Sequence, residues 1–448
     1  MKKLFYLLIF TGAYLLSGAS KPNIILILAD DMGSGDVGYH GAEDAQTPAI
    51  DAIAKAGVWF RQGYAAASVC GPSRAGILTG RYQQLFGVVM NGDADKGIPL
   101  GQKNLAELLK PAGYKTAAFG KWHLGSKKGQ FPNDRGFDFF YGFHFGAHDY
   151  YRADKKLNKK KKGYAPIYLN KKVVNYREGD YLTEKITENA LTFIEQNKSE
   201  PFFMYVAYNS VHSPWQVPDS YLKRIPDSVP EYRRLFLAMV LAMDDGIGEI
   251  EAKLKDLGIA DNTIIVFTTD NGSPKIGNKK ANSGQFCMSK TNNFRGYKGD
   301  TYEGGIRVPM AIKWPKVLRA SQQYDHPVIA HDLAPTFLSA AGIEYSDEQF
   351  TGVNLLPYIS GEKKEIPHEQ LFWHRHPGLE DFALRQGDWK LTWNDQEGTS
   401  KEFIKRAELK LFNLEQDPYE KNDLAKAMPE KVQALKKTYD QWHQTHLK

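Results

Sequence analysis

Four apolar runs in this chain each stop at residues able to do chemistry, and that pattern leaves little choice of fold. Asn23-Ile24-Ile25-Leu26-Ile27-Leu28-Ala29 runs into Asp30-Asp31. Lys115-Thr116-Ala117-Ala118-Phe119 runs into Gly120-Lys121-Trp122-His123. Phe202 to Tyr208 delivers Asn209 and then His212, and Thr263 to Thr269 delivers Asp270-Asn271-Gly272. Runs that are continuously apolar, rather than alternating, predict strands covered on both faces. Helical patterns lie between them, over Thr47–Ala56 with Thr47 as the N-cap, Asn104–Lys110, Leu182–Asn197 and Tyr232–Leu257. Alternating strands and helices predict an α/β fold with a large, mostly parallel sheet between helices. In such sheets ligands gather beyond the carboxyl ends of the strands, which places all four polar clusters in one site.

The pattern changes after about residue 345. Leu371–His374, Phe382–Arg385, Trp389–Trp393 and Leu409–Leu414 are short strand-like pieces separated by turn residues, and Glu430–His446 reads as a helix. A small C-terminal antiparallel sheet with a helix is expected, giving a catalytic part over 20–345 and a smaller part over 346–448. Residues 1–19 read as a signal peptide: Met1-Lys2-Lys3, an apolar run from Leu4 to Leu16, and small residues ending at Ala19. The run is too short to span a bilayer comfortably, and no other stretch is long and apolar enough. An exported bacterial protein, secreted or periplasmic, is therefore expected, with no membrane span and no nucleic-acid partner. Aromatic content of 12% and a net charge of +6 suit an anionic carbohydrate. The run Lys155 to Lys162 lies in a segment read as a solvated loop, with a tether for a polyanionic glycan as the other reading. Gly272–Asp300, rich in Gly, Asn and Lys, reads as a long loop.

Cys70-Gly71-Pro72-Ser73-Arg74 opens a further predicted helix. Pro72 suits the first helical position and Gly80 the stop. The amide-rich end of that helix then points at Cys70, with Arg74 one turn inside, which makes an anion site with a reactive side chain at its mouth. The chain holds two cysteines, Cys70 and Cys287, and in an exported protein a pair also suggests a disulfide. Asp30-Asp31 and Asp270-Asn271 supply three carboxylates and an amide oxygen. Either pair alone suits an ordinary turn; together, at two strand ends, they suit a hard cation such as Ca²⁺ or Mg²⁺ rather than zinc.

The string Cys-x-Pro-Ser-Arg-x-x-x-Leu-Thr-Gly-Arg over Cys70–Arg81 resembles the signature of the type I sulfatases. So do Gly120-Lys121-Trp122-His123-Leu124-Gly125, His212-Ser213-Pro214, and Arg295-Gly296-Tyr297-Lys298-Gly299 followed by Tyr302-Glu303-Gly304-Gly305-Ile306-Arg307-Val308-Pro309. The resemblance runs from Lys21 to about Pro357. It implies an alkaline-phosphatase-like fold and oxidation of Cys70 to formylglycine by a maturation enzyme, which would leave Cys287 unpaired. It implies calcium held by Asp30, Asp31, Asp270 and Asn271, with Cys70 facing it. It gives Arg74, Lys121 and Lys298 to the sulfuryl group. His212, shared with Lys298, becomes the acid for the leaving oxygen, and His123 the base that takes the proton of the second hydroxyl. The implied substrate is a sulfated carbohydrate, with a galactose-type or N-acetylgalactosamine sulfate expected. Candidate sugar contacts are His148, Asp149, Tyr150 and the cluster His374-Arg375-His376. The rival readings are a phosphate or phosphonate monoester hydrolase of the same superfamily and a non-catalytic glycan-binding protein.

Overall fold

Every residue of β1 (Asn23–Ala29) is buried, and its side chains divide strictly by parity. Ile25, Ile27 and Ala29 enter one core, whereas Ile24, Leu26 and Leu28 enter another. That is the two-sided burial a continuous apolar run demands. The computed structural model describes residues 21–153, 166–275, 288–375, 381–393 and 408–446. The signal-peptide reading, the Lys155–Lys162 run, Cys287 and His376 fall outside these residues.

The other strands are β2 (Val58–Phe60), β3 (Gly63–Tyr64), β4 (Lys115–Lys121), β5 (Phe139–Phe143), β6 (Tyr168–Leu169), β7 (Lys172–Val173), β8 (Phe202–Ala207), β9 (Thr263–Thr269), β10 (Met310–Lys313), β11 (Gln322–Tyr324) and β12 (Val328–Ile329). Near the C-terminus follow β13 (Gln370–His374), β14 (Phe382–Gln386), β15 (Trp389–Trp393) and β16 (Leu409–Asn413). The main sheet has 10 strands in the order β11-β2-β10-β9-β1-β8-β4-β5-β6-β7. Its centre, β9-β1-β8-β4-β5, is parallel throughout, and β10 runs antiparallel between β9 and β2. The four strands that end in polar clusters are thus four consecutive neighbours, and their carboxyl ends lie along one edge. β3 and β12 pair separately, and β13–β16 form the expected antiparallel sheet of 4 strands.

Helices Leu182–Asn197 and Glu231–Asp256 cover one face of the main sheet, and Cys70–Thr79 and Leu333–Ala340 the other. Phe350, Leu355 and Ile359 pack into the second core, while the small sheet and helix Pro429–His446 share a third with Tyr64, Tyr82, Ile306 and Ile329.

Two local expectations need correction. Thr47 precedes the helix Pro48–Lys55, but its hydroxyl makes no capping bond. It accepts from Gly38 N at 2.8 Å and donates to Asp51 Oδ1 at 3.1 Å. The orphan amides of Ala49 and Ile50 donate instead to Asp244, at 2.9 and 2.8 Å, so a neighbouring helix caps this one. The second correction concerns Pro72, which is the third residue of its helix, because Cys70 itself is the first. The helical turn therefore carries Cys70 rather than pointing at it.

Gly80 ends that helix at φ 67°, and a Cβ built there would sit 2.6 Å from Phe350 Cδ1 and 2.9 Å from Ala334 Cβ. Gly80→Ala should therefore cost about 2–4 kcal/mol, from the left-handed backbone and the overpacked core together. A lowered urea midpoint checks this, and an unchanged one contradicts it.

Candidate active site

The edge beyond β9-β1-β8-β4 gathers three buried carboxylates and three cations. Asp30, Asp31 and Asp270 are 0, 2 and 0% exposed, and Arg74 and Lys121 are 0 and 1% exposed. Lys121 Nζ, at the end of β4, is 2.7 Å from Asp30 Oδ2. Arg74, one turn into its helix, places Nε and Nη2 each 2.8 Å from Asp270 Oδ2 and donates Nη1 to Lys121 O at 2.8 Å. Lys298, from the loop before β10, reaches Asp31 Oδ1 at 2.6 Å and Cys70 Sγ at 2.9 Å. His212 Nε2 lies 3.6 Å from Asp31 Oδ2. Asp31 takes φ 64° and His123 φ 56°, conformations that non-glycine residues adopt only under constraint.

The electrostatics follow from burial. Desolvation opposes ionisation of Asp31, yet Lys298, His212 and Lys121 outweigh it and hold its carboxyl well below the usual range. Burial and the nearby Asp30 push Asp270 upward against Arg74 and Lys121. Burial pushes the Cys70 thiol up to about 12 despite Lys121 and Lys298. As encoded, then, Cys70 is a protonated thiol and a poor nucleophile at neutral pH. Among the described residues it has no disulfide partner. Burial, then the cations Lys121, Arg74 and Lys298, lower the His123 imidazole and keep it neutral.

Asp30, Asp31, Cys70 and His212 each offer a ligand atom, and these atoms lie within 4.8 Å of one another. Asn271 donates Nδ2 to Asp31 Oδ1 at 2.8 Å, which leaves its Oδ1 buried without a hydrogen-bond partner among the described residues; Asp30 Oδ1 is in the same state. Buried oxygen acceptors with no donor beside three carboxylates are what a hard cation needs. The donor set therefore fits a hard divalent cation such as Ca²⁺ or Mg²⁺. Asp270 Oδ2 also accepts from Arg74 and its Oδ1 from Asp31 N at 3.3 Å.

The sugar-contact candidates are placed differently. His148 is 0% exposed, its Nδ1 lies 2.6 Å from Asp149 O, and its ring packs on Phe143. Asp149 accepts from Tyr151 N and Gln216 Nε2, and the Tyr150 hydroxyl donates to Asn209 O and His212 O. His374 bonds Tyr439 in the third core. Arg375, 6% exposed, is paired with Asp381. Each of these described side chains makes a polar contact to a protein group.

Three neighbours escaped the sequence reading. Asp95, its side chain 48% exposed, lies 3.6 Å from His123 Nε2. It sits in a polar stretch that follows no strand, so nothing marked it. Asn91 accepts the Gly71 amide at 3.0 Å, and Tyr205 lies 3.4 Å from Arg74 Nη1 from inside β8. An apolar run hides such a tyrosine among core residues.

The family model described as Sulfatase matches residues 22–343, and the one described as N-sulphoglucosamine sulphohydrolase, C-terminal, matches 297–445. The chain is 33% identical to N-acetylgalactosamine-6-sulfatase of Sus scrofa over 481 residues, covering 96% of this chain and 87% of that protein. It is 35% identical to the crystal structure of Ps i-CgsB in complex with k-i-k-neocarrahexaose, with a TM-score of 0.83 and 94% and 93% of the two chains covered. It shares its fold with phosphonate monoester hydrolase of Agrobacterium radiobacter, at 19% identity, a TM-score of 0.66, and 95% and 96% covered.

Proposed function

The chain belongs to the sulfatase family, a sulfuric ester hydrolase, and from that premise we propose that it removes O-sulfate from a galactose-type sugar of a sulfated glycan. The observation that carries this reading is the convergence of Asp30, Asp31, Cys70 and His212, joined by Lys298, at adjoining strand ends. One relative is named N-acetylgalactosamine-6-sulfatase, and one similar structure holds k-i-k-neocarrahexaose, which supports a sugar of that type in a glycan. The export expected from the N-terminal residues suits a polymer met outside the cytoplasm, in the periplasm or beyond.

Conversion of Cys70 to formylglycine would supply a hydrate oxygen as nucleophile, and a calcium ion on Asp30, Asp31, Asp270 and Asn271 would supply a Lewis acid. The chain's own groups do the rest. Arg74, Lys121 and Lys298 bring positive charge to the sulfuryl oxygens. His212 Nε2 gives a proton to the departing sugar oxygen, with Lys298 at hand for the same oxygen. His123 accepts a proton through its buried Nδ1, which has no hydrogen-bond partner among the described residues.

Two measurements test the reading. Mass spectrometry of the peptide spanning Ser68 to Arg74 should show the aldehyde in place of the thiol in active enzyme, and a Cys70–Cys287 disulfide in active enzyme would refute it. A screen of defined sulfated mono- and oligosaccharides should find desulfation of galactose-type sugars. His212→Ala should slow release from a sugar, a poor leaving group, at least tenfold more than from 4-nitrophenyl sulfate, which needs little protonation. Equal losses on the two substrates would remove His212 from the acid role.

A further inference from the structure

Lys298 sits on a loop with no regular structure, yet its ammonium lies 2.6 Å from Asp31 and 2.9 Å from Cys70. A lysine brings a flexible four-carbon stem, so its aim depends on how firmly its backbone is held. On one side the catalytic part holds it: Lys298 N donates to Ser273 O at 2.6 Å, and Gly299 N to Ser68 O at 2.8 Å. On the other side the small C-terminal sheet holds every second residue that follows. Arg375 Nη1 donates to Gly299 O. Thr301 Oγ1 meets Thr392 Oγ1 at 2.9 Å, and Glu303 Oε1 meets Lys390 Nζ at 2.8 Å. Gly299 is thus pinned through both its N–H and its C=O, one residue from the ammonium's origin.

Arg375 is itself fixed. Its Nε and Nη2 lie 2.6 and 2.5 Å from Asp381 Oδ2, and its backbone N donates to Asp381 O at 3.0 Å. One planar guanidinium therefore joins a buried carboxylate of the small sheet to the carbonyl beside Lys298, a double task that suits the arginine fork.

We propose that Arg375 is a positioning residue for Lys298, through which the small C-terminal sheet completes the active site. The catalytic part of this inference rests on the sulfatase reading; the positioning part does not.

The test has two arms. In the protein carrying unconverted Cys70, reactivity of Lys298 toward an N-hydroxysuccinimide ester is followed by peptide mass spectrometry. Arg375→Ala should raise it at least fivefold, with Lys121 and Lys390 unchanged. In the matured enzyme a double-mutant cycle is run on 4-nitrophenyl sulfate. Arg375→Ala alone should lower kcat about tenfold, but less than twofold in the Lys298→Ala background, because a residue acting through Lys298 has nothing left to position. A general weakening of the fold would instead multiply the losses and raise labelling of all three lysines. If Arg375→Ala does not fold because Asp381 is left unpaired, the double replacement Arg375→Met with Asp381→Leu removes both charges and is read in the same way. Unchanged Lys298 labelling, or multiplying losses, overturns the proposal. If the matured wild-type enzyme cleaves no sulfate ester, the functional reading fails, and the labelling arm still decides the role of Arg375.

Discussion

Arg74→Ala is expected to abolish measurable turnover and to destabilise the protein by about 3–5 kcal/mol, the range for breaking a buried ion pair from one side. Arg74 is 0% exposed, and two of its nitrogens lie 2.8 Å from one oxygen of Asp270. Without it Asp270, already pushed upward by burial and by Asp30, loses its nearest cation. The Lys121 carbonyl also loses its donor at 2.8 Å, which loosens the end of β4 just where Lys121 and His123 project. The proposed sulfuryl contact alone would be worth about a hundred- to a thousandfold in rate, on the scale of a single preorganised donor. Arg74→Lys keeps the charge but cannot reach both Asp270 and Lys121 O, so it should recover much of the stability and little of the rate. Urea denaturation and initial rates on 4-nitrophenyl sulfate separate the two effects. A wild-type unfolding midpoint for Arg74→Ala would show that Asp270 has another counter-charge.

The second large effect is expected for Asp31. Its carboxylate accepts from Lys298 and Asn271 and lies beside Cys70, so it joins the proposed cation site to the proposed nucleophile. Asp31→Ala should abolish calcium binding measured by titration calorimetry and reduce turnover at least a thousandfold. Each of the few oxygen ligands carries a large share of the affinity of such a site. Asp31→Asn keeps the volume and the polar contact but not the charge, and should bind calcium weakly. Exhaustive chelation of the unmutated enzyme should reproduce the loss, and restored calcium should reverse it. Full activity after chelation, or unaltered calcium binding by Asp31→Ala, would remove the metal from the mechanism.

Those expectations draw on two kinds of information. β1 and β9 were legible to the residue, because two-sided burial requires an unbroken apolar run and few other structures tolerate one. The shorter β2, β3, β10 and β12 were not, since two to four residues carry too little periodicity to stand out. The principal chemical groups were legible for a related reason: polar residues that interrupt burial at a strand end are costly unless they are used, and the Cys70 string marks its own helix.

What the sequence alone determined is therefore local: which segments are strands, which helix carries Cys70, and which side chains stand at the strand ends. The pairing of those side chains was decided only by the tertiary structure. Arg74 meets Asp270 across 196 positions and Lys298 meets Asp31 across 267, and both contacts depend on the strand order β9-β1-β8-β4, which no local pattern encodes. The same holds for Asp244 capping a helix that Thr47 was expected to cap, for Asp95 beside His123, and for Arg375 donating to Gly299 O. The physical reason is that burial and backbone propensity act over a few residues. Charge compensation in a desolvated site acts over a few ångströms, whichever part of the chain supplies the partner.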